Sequence, residues 1–287
     1  MKTLVTVREI RERSKALKAE GKTIGFVPTM GALHGGHASL ARRAARENDA
    51  VIASVFVNPA QFGPGEDFET YPRDFEGDAA ILESLGVDSV FRPAPGEIYP
   101  EGFATKVEVS GLTDRLCGGD RPGHFAGVAT VVAKLFNLVR PDRAYFGLKD
   151  AQQFFVLKRM AEDLNADVSL VPCPTVREPD GLAMSSRNLR LSPEERKAAP
   201  RLHAALELGR KLALSGETDP KAIIESIVEE IRKSPLFEID HVEMVDTKFL
   251  KPVGILKPET AKEARGEVLA AAAVRLGKTR LIDNFIL

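Results

Sequence analysis

The segment from Thr23 to Arg46 constrains the fold more than any other. A short apolar run, Thr23-Ile24-Gly25-Phe26-Val27, leads into Pro28-Thr29-Met30-Gly31-Ala32-Leu33-His34-Gly35-Gly36-His37. A helix-type run, Ala38-Ser39-Leu40-Ala41-Arg42-Arg43-Ala44-Ala45-Arg46, follows at once. The order strand, glycine-rich turn, helix marks the place where a parallel sheet holds its ligands. Three glycines let the backbone come close to such a ligand. His34 and His37 fall at the helix start, where unpaired N–H groups and the helix dipole favour an anion such as phosphate. A neutral imidazole donates to a phosphate oxygen, and an imidazolium adds positive charge as negative charge builds up. An H-x-x-H alone would be two surface histidines on a tight turn. Flanked by this strand, these glycines and this helix, the pair points to a phosphate-handling site.

The rest of the chain extends the same pattern. Thr6-Val7-Arg8-Glu9 has the form of a capping box and predicts a helix to about Glu20, closed by Gly21. Val51 to Val57 is an unbroken apolar run, as expected of a strand covered on both faces. It ends in Asn58-Pro59-Ala60-Gln61. Alone this is an Asn-Pro turn; after a buried strand, Asn58 and Gln61 are also placed to orient a ligand. Residues 63–73 form a polar loop, either a connector or a cover for a site. A helix over 74–85, a strand at 89–91 and an alternating strand at Lys106-Val107-Glu108-Val109 are expected next. Arg121 and His124 precede an apolar helix, Ala126 to Val139, whose Val128, Val131, Val132, Leu135 and Phe136 read as core. A strand at 143–146 runs into Gly147-Leu148-Lys149-Asp150 and a helix bearing Gln152 and Gln153. Lys149 suits phosphate, and Asp150 suits ribose hydroxyls or a cation, although a Lys-Asp pair at a helix start is also ordinary surface. After a strand at 168–171, Ser185-Ser186-Arg187 offers hydroxyls, a guanidinium and backbone N–H groups to a triphosphate, in a stretch that also reads as a linker.

Two helices, 193–215 and 218–233, and two strands, 238–246 and 267–275, complete the chain. The expected architecture is α/β. A Rossmann-like parallel sheet flanked by helices spans 1–185, and a smaller C-terminal α+β lid domain spans 186–287. Gly277-Lys278-Thr279 is no P-loop, because no glycine stands five residues earlier and no helix follows.

Composition narrows the function classes. A length of 287 residues with 44% hydrophobic and 28% charged residues is that of a globular protein of one large or two ordinary domains. The net charge of −1 supplies no broad basic field, so no nucleic-acid partner is expected. No apolar run reaches membrane-spanning length, and Met1 to Thr6 lacks the apolar core of a signal peptide. Cys117 and Cys173 have no metal-type spacing and are expected as free thiols in a cytoplasmic protein.

The first motif resembles the HIGH signature of the nucleotidyltransferase and class I aminoacyl-tRNA synthetase superfamily. Six motifs in order, P-T-M-G-A-L-H-x-G-H, F-V-N-P-x-Q-F, R-P-G-H-F-x-G-V-x-T-V-V-x-K-L-F-N, G-x-K-D-x-x-Q, D-G-L-A-M-S-S-R-N and G-K-T-R-L-I-D-N, resemble the pantoate–β-alanine ligase family. The resemblance implies ATP-dependent condensation of pantoate with β-alanine through a pantoyl adenylate, releasing pyrophosphate and AMP and giving pantothenate. It implies ATP contacts from Met30, Gly31, Ala32, Leu33, His34, Gly35, Gly36 and His37, from Gly147, Leu148, Lys149 and Asp150, and from Val176, Met184, Ser185, Ser186 and Arg187. His34, His37, Lys149 and Arg187 would carry the catalysis. Gln61, Gln153 and Asn58, with Val131 and Val132 as pocket wall, would bind pantoate or β-alanine. Mg²⁺ and a homodimeric state are implied as well; no residue is assigned as a metal ligand. Leu148 stands where the family usually has an acidic residue.

Overall fold

The computed structural model describes residues 1–257 and 266–287. Two compact units divide the chain. The first holds Met1–Ser110, Arg121–Leu148 and Val156–Pro174; the second holds Gly111–Asp120, Lys149–Phe155 and Thr175–Leu287. Unlike a single division at 185/186, this grouping places two earlier pieces with the C-terminal residues.

The first unit is built on a six-stranded sheet. Its strands are β1 (Lys2–Leu4), β2 (Ile24–Thr29), β3 (Ala50–Val55), β4 (Ser89–Phe91), β5 (Arg143–Gly147) and β6 (Ser169–Cys173). They lie in the order β1-β4-β3-β2-β5-β6, and every pairing is parallel. The sequence runs outward from β2 in one direction and from β5 in the other. The loop after β2 therefore sits at the switch point, where open parallel sheets bind ligands.

The helices of this unit begin where their capping residues demand. Helix α1 (Val7–Ala19) starts on a capping box of Thr6 and Glu9, and Gly21 just beyond its end has φ +72. Helix α2 (Gly35–Glu47) packs Leu40, Ala41 and Ala44 into a core with Val27, Val51, Ala53, Val90 and Tyr145. Helix α3 (Phe75–Ser84) starts at Asp74, whose side chain accepts from the Gly77 N–H. The short helix α4 (Pro95–Ile98) and the long apolar helix α6 (His124–Val139) complete the unit, apart from helix α7 (Ala151–Asp163), whose residues divide between the units at 155/156.

The strand expected at Lys106–Val109 is not formed. The Val107 N–H donates to Thr130 Oγ1 on α6 at 2.9 Å, so a helix side chain takes the place of a neighbouring strand. The alternation there reflects packing on a helix. β1 escaped the sequence reading because three edge residues carry too little periodicity.

The second unit contains α5 (Cys117–Asp120) and a three-stranded antiparallel sheet, β7 (Phe237–Asp246), β8 (Val268–Leu276) and β9 (Thr279–Ile286). Helices α9 (Arg201–Leu214) and α10 (Pro220–Arg232) cover it. Leu202, Leu206, Ile223, Ile227 and Ile231 join Ala270, Ala272, Val274 and Leu276, every second residue of β8, in one core. Each of the fully buried Leu, Ile and Val side chains here contributes roughly 1.5–3 kcal/mol.

The single helix expected over 193–215 is two. Helix α8 (Pro193–Ala198) ends and α9 begins around Pro200, which has no N–H to continue the ladder. Gly277-Lys278 is the tight β8–β9 turn, consistent with the exclusion of a P-loop.

Candidate active site

In the first unit, the β2–α2 turn is organised by its two histidines. His34 is the N-cap of α2, and His37 occupies the third helical position. The Gly36 N–H donates to His34 Nδ1 at 3.1 Å, and the His34 N–H donates to His37 Nδ1 at 3.4 Å. This is a capping box in which imidazoles replace the usual hydroxyl and carboxylate. An Nδ1 that accepts a hydrogen bond carries no proton, so each neutral ring bears its proton on Nε2. The rings lie 4.2 Å apart between centroids. The local fold thus makes both side chains Nε2–H donors at a helix N-terminus.

The turn itself is held from below by Asp78 of α3, which is only 3% exposed. Its Oδ2 accepts from the Ala32 N–H at 3.0 Å and its Oδ1 from the Leu33 N–H at 2.7 Å. Both Gly31 (φ +86) and Ala32 (φ +51) are left-handed. A Cβ on Gly31 would lie 2.8 Å from Asp78 Oδ2, so glycine is required by both φ and space. Sequence reading missed Asp78. The available signal was an acidic residue four before Leu82 on the buried face of α3.

Burial pushes the Asp78 carboxyl above the ordinary 3.8, against the lowering effect of the Leu33 and Ala32 N–H groups. A raised carboxyl favours the fold at pH values below its unfolded pKa and loses that contribution as pH rises through its folded value. At neutral pH that contribution is gone, and the carboxylate shapes the turn through its two backbone N–H partners. Asp78→Asn is expected to lower the thermal midpoint at pH 7 and to lower turnover about tenfold, because an amide NH2 now faces a buried backbone N–H. Parallel melting curves and rate assays check this; a lower midpoint with unaltered turnover would reverse the assignment.

Gln61 and Asn58 lie just beyond the end of β3. Asn58 is 1% exposed and fully engaged. Its Nδ2 donates to Gln61 Oε1 and to the Gly127 carbonyl, both at 3.1 Å, and its Oδ1 accepts from the Tyr99 hydroxyl at 2.7 Å and the Ala60 N–H at 3.3 Å. Burial pushes the Tyr99 hydroxyl up to about 12, so it remains a donor. The Gln61 Nε2 donates to Met30 Sδ at 2.9 Å, which brings Gln61 against the His loop. Gly127 of α6 has no room for a Cβ, which would collide with the Ala60 carbonyl. Val131 and Val132 of α6 are both buried. Arg121 pairs with Glu66 through Nε at 2.7 Å, and its Nη1 meets His124 Nε2 at 3.1 Å, while His124 Nδ1 contacts the Gln61 carbonyl at 2.8 Å. Arg121 holds the Glu66 carboxyl below its ordinary 4.5. This network ties the 63–73 loop to the backbone of Gln61. Gly147 ends β5 and Leu148 follows it, both in the first unit.

In the second unit, Lys149 is 22% exposed, with Nζ 3.9 Å from Asp150. Gln153 is half-buried on α7, while its neighbour Gln152 is buried and donates to the Leu112 and Arg115 carbonyls at 2.9 Å. Val176 and Met184 are joined by the Met184 N–H to the Val176 carbonyl at 3.0 Å. Arg177 and Ala183 form an isolated antiparallel bridge around the turn at 178–181. Ser185 caps the 3-10 turn Ser186–Arg190, its Oγ accepting from the Arg187 N–H at 3.3 Å. Ser185, Ser186 and Arg187 thus share one short capped turn.

Among the described residues no three or more His, Cys, Asp or Glu side chains cluster as a metal site, and no helix is long and apolar enough to cross a membrane.

A glycine-rich turn capping a helix at the switch point of a parallel sheet is the arrangement of the Rossmann-like α/β class. The family model described as pantoate–β-alanine ligase matches residues 2–286. The pantothenate synthetase of Thermotoga petrophila is 53% identical over 287 residues, covering 100% of both chains. The pantothenate synthetase of Heliobacterium modesticaldum is 54% identical over 286 residues, covering 100% of this chain and 99% of its own. Among solved structures, pantothenate synthetase from Thermus thermophilus superposes with a TM-score of 0.92 at 49% identity, covering 100% of this chain and 99% of that one. Pantoate–β-alanine ligase from Francisella tularensis, complexed with β,γ ATP and β-alanine, gives 0.79 at 34% identity, covering 100% and 97%. The chain belongs to the pantoate–β-alanine ligase family, a family of ligases.

Proposed function

We propose that this chain activates pantoate with ATP as pantoyl adenylate and then transfers the acyl group to β-alanine. A pantoate carboxylate oxygen attacks the α-phosphorus; the bond to the bridging oxygen breaks and pyrophosphate leaves. The β-alanine amine then attacks the acyl carbon, a C–N bond forms, AMP departs on its oxygen, and the nitrogen loses its proton. No protein nucleophile is needed.

The observation that carries this reading is the reciprocal His34–His37 cap, which makes two Nε2–H donors at a helix N-terminus. Negative charge grows on the α-phosphate and on the leaving pyrophosphate, and fixed donors lower the barrier only where that charge develops. His34 and His37 act there, with Met30 to Leu33 and Gly35-Gly36 presenting backbone. Lys149 and Arg187 supply positive charge, and Ser185 and Ser186 supply hydroxyls. Gly147, Leu148, Asp150, Val176 and Met184 complete the ATP contacts. Gln61, steadied by Asn58, and Gln153 orient pantoate, with Val131 and Val132 as apolar wall. Holding carboxylate and phosphate together supplies much of the rate.

Asp150, half exposed, is an oxygen donor of the kind Mg²⁺ takes, so these residues fit a Mg²⁺ held chiefly by nucleotide phosphates. The ion would neutralise phosphate charge when bound. The lid role of residues 186–287, the homodimeric state and the cytoplasmic location belong to the same proposal.

The test is pyrophosphate release with ATP, Mg²⁺ and pantoate, with and without β-alanine. Release that requires pantoate, and formation of pantothenate and AMP once β-alanine is added, is the expected result. Release with another carboxylate but not with pantoate overturns the substrate assignment and leaves the adenylation chemistry standing.

A further inference from the structure

The C-terminal motif ends in Asp283 and Asn284, polar residues to which the chemistry above gives no part. Both lie on β9, whose alternate residues Thr279, Leu281, Asp283 and Phe285 are buried. Asp283 is therefore a carboxylate on the core side of a strand, 3% exposed, in a position where an apolar residue would otherwise be favoured. Its partner is Arg177, bound in a two-pronged pair with Nη1 at 2.6 Å from Oδ2 and Nη2 at 3.0 Å from Oδ1. The same Arg177 Nη1 donates to the Gly181 carbonyl at 3.1 Å. Arg177 and Gly181 bracket the turn that leads, through the Arg177–Ala183 bridge, into Met184-Ser185-Ser186-Arg187. The next residue, Asn284, donates from Nδ2 to the Lys149 carbonyl at 2.9 Å, while its N–H donates to Asp283 Oδ1 at 2.8 Å. One dipeptide thus holds the backbone of Lys149 and the base of the Ser185–Arg187 turn, segments that lie far apart along the chain.

We infer that Asp283 and Asn284 are positioning residues that set the Lys149 backbone and the Ser185-Ser186-Arg187 turn in register for the nucleotide. The inference rests on the assignment of those segments to ATP. Neither residue touches substrate; each acts through the group it fixes. A buried, two-pronged Arg–carboxylate pair has strict geometry, so it transmits the position of β9 to the turn. The Asn284 amide does the same for Lys149 with a single bond.

The test compares Asn284→Ala, Asp283→Asn, Lys149→Ala and Arg187→Ala in the full chain. The readouts are calorimetric binding of a non-hydrolysable ATP analogue with Mg²⁺, binding of pantoate, and the thermal midpoint. In Asn284→Ala the ATP-analogue Kd is expected to weaken about five- to tenfold, the effect of one lost hydrogen bond that orders a charged residue, with pantoate Kd within about twofold and the melting point nearly unchanged. Asp283→Asn is expected to weaken nucleotide binding further. If it fails to fold, Asn284→Ala alone decides. Unchanged ATP affinity in Asn284→Ala, with Lys149→Ala and Arg187→Ala both weakened, overturns the positioning role and spares the ATP assignment. Unchanged affinity in all of them overturns the ATP assignment and this inference together. Equal weakening towards ATP and pantoate overturns it too, since that reports general loosening.

Discussion

His37→Ala is expected to lower pyrophosphate release from ATP and pantoate by about a hundredfold or more, the usual cost of one donor aimed at transition-state charge. Two effects are lost together. The Nε2–H donor goes, and so does the acceptor for the His34 N–H that completes the cap. Magnitudes separate them. A lost N-cap interaction costs about 1 kcal/mol of stability, whereas a hundredfold in rate is about 2.7 kcal/mol of barrier. The protein should therefore remain folded at assay temperature and be slow. His37→Gln and His37→Asn, which keep a side-chain acceptor, should restore more of the melting point than of the rate. Near-normal pyrophosphate release from a folded His37→Ala protein would remove His37 from the chemistry.

Lys149→Ala is expected to lower adenylate formation on a similar scale, about a hundredfold or more, through loss of a fixed positive charge at the phosphates. Lys149 is mostly shielded from solvent, and the carboxylate beside it, Asp150, stands 3.9 Å away. At that separation and half exposed, Asp150 contributes little, of the order of 0–1 kcal/mol, so most of the ammonium's pull remains for a ligand. Lys149→Arg is expected to recover only part of the rate, since a planar fork replaces a compact point charge. Single-turnover formation of the adenylate, followed by quench, separates this step from product release. A Lys149→Ala enzyme with normal single-turnover rates would mean that the cation acts elsewhere.

The reading of the first unit from sequence was close because its signals are local. The β2–α2 turn, the capping box at Thr6, the buried strand at 50–55 and the apolar helix α6 each declare themselves within one window of residues. Misreadings came where a local pattern had a non-local cause. Lys106–Val109 alternates because α6 lies against it, with Thr130 taking the hydrogen bond of Val107. β9 alternates cleanly in the structure, but Asp283 on its buried side breaks the apolar pattern that would have announced it. Pro200 was a local signal that the expected helix over 193–215 passed over.

The sequence by itself determined the α/β class and the placing of strands β2 to β6 and of helices α1, α2, α3, α6 and α7. Hydrophobic period, glycine and capping chemistry act over a few residues and can be read there. Tertiary structure alone decided how those residues are held. Asp78 reaches back 45 residues to the Leu33 N–H, and Arg177 reaches 106 residues to Asp283. It also decided that Gly111–Asp120 and Lys149–Phe155 group with the C-terminal sheet. A buried carboxylate looks like any surface acid in a sequence. Only the fold shows that its solvent has been replaced by two backbone N–H groups or a guanidinium, and that replacement makes it a positioning group.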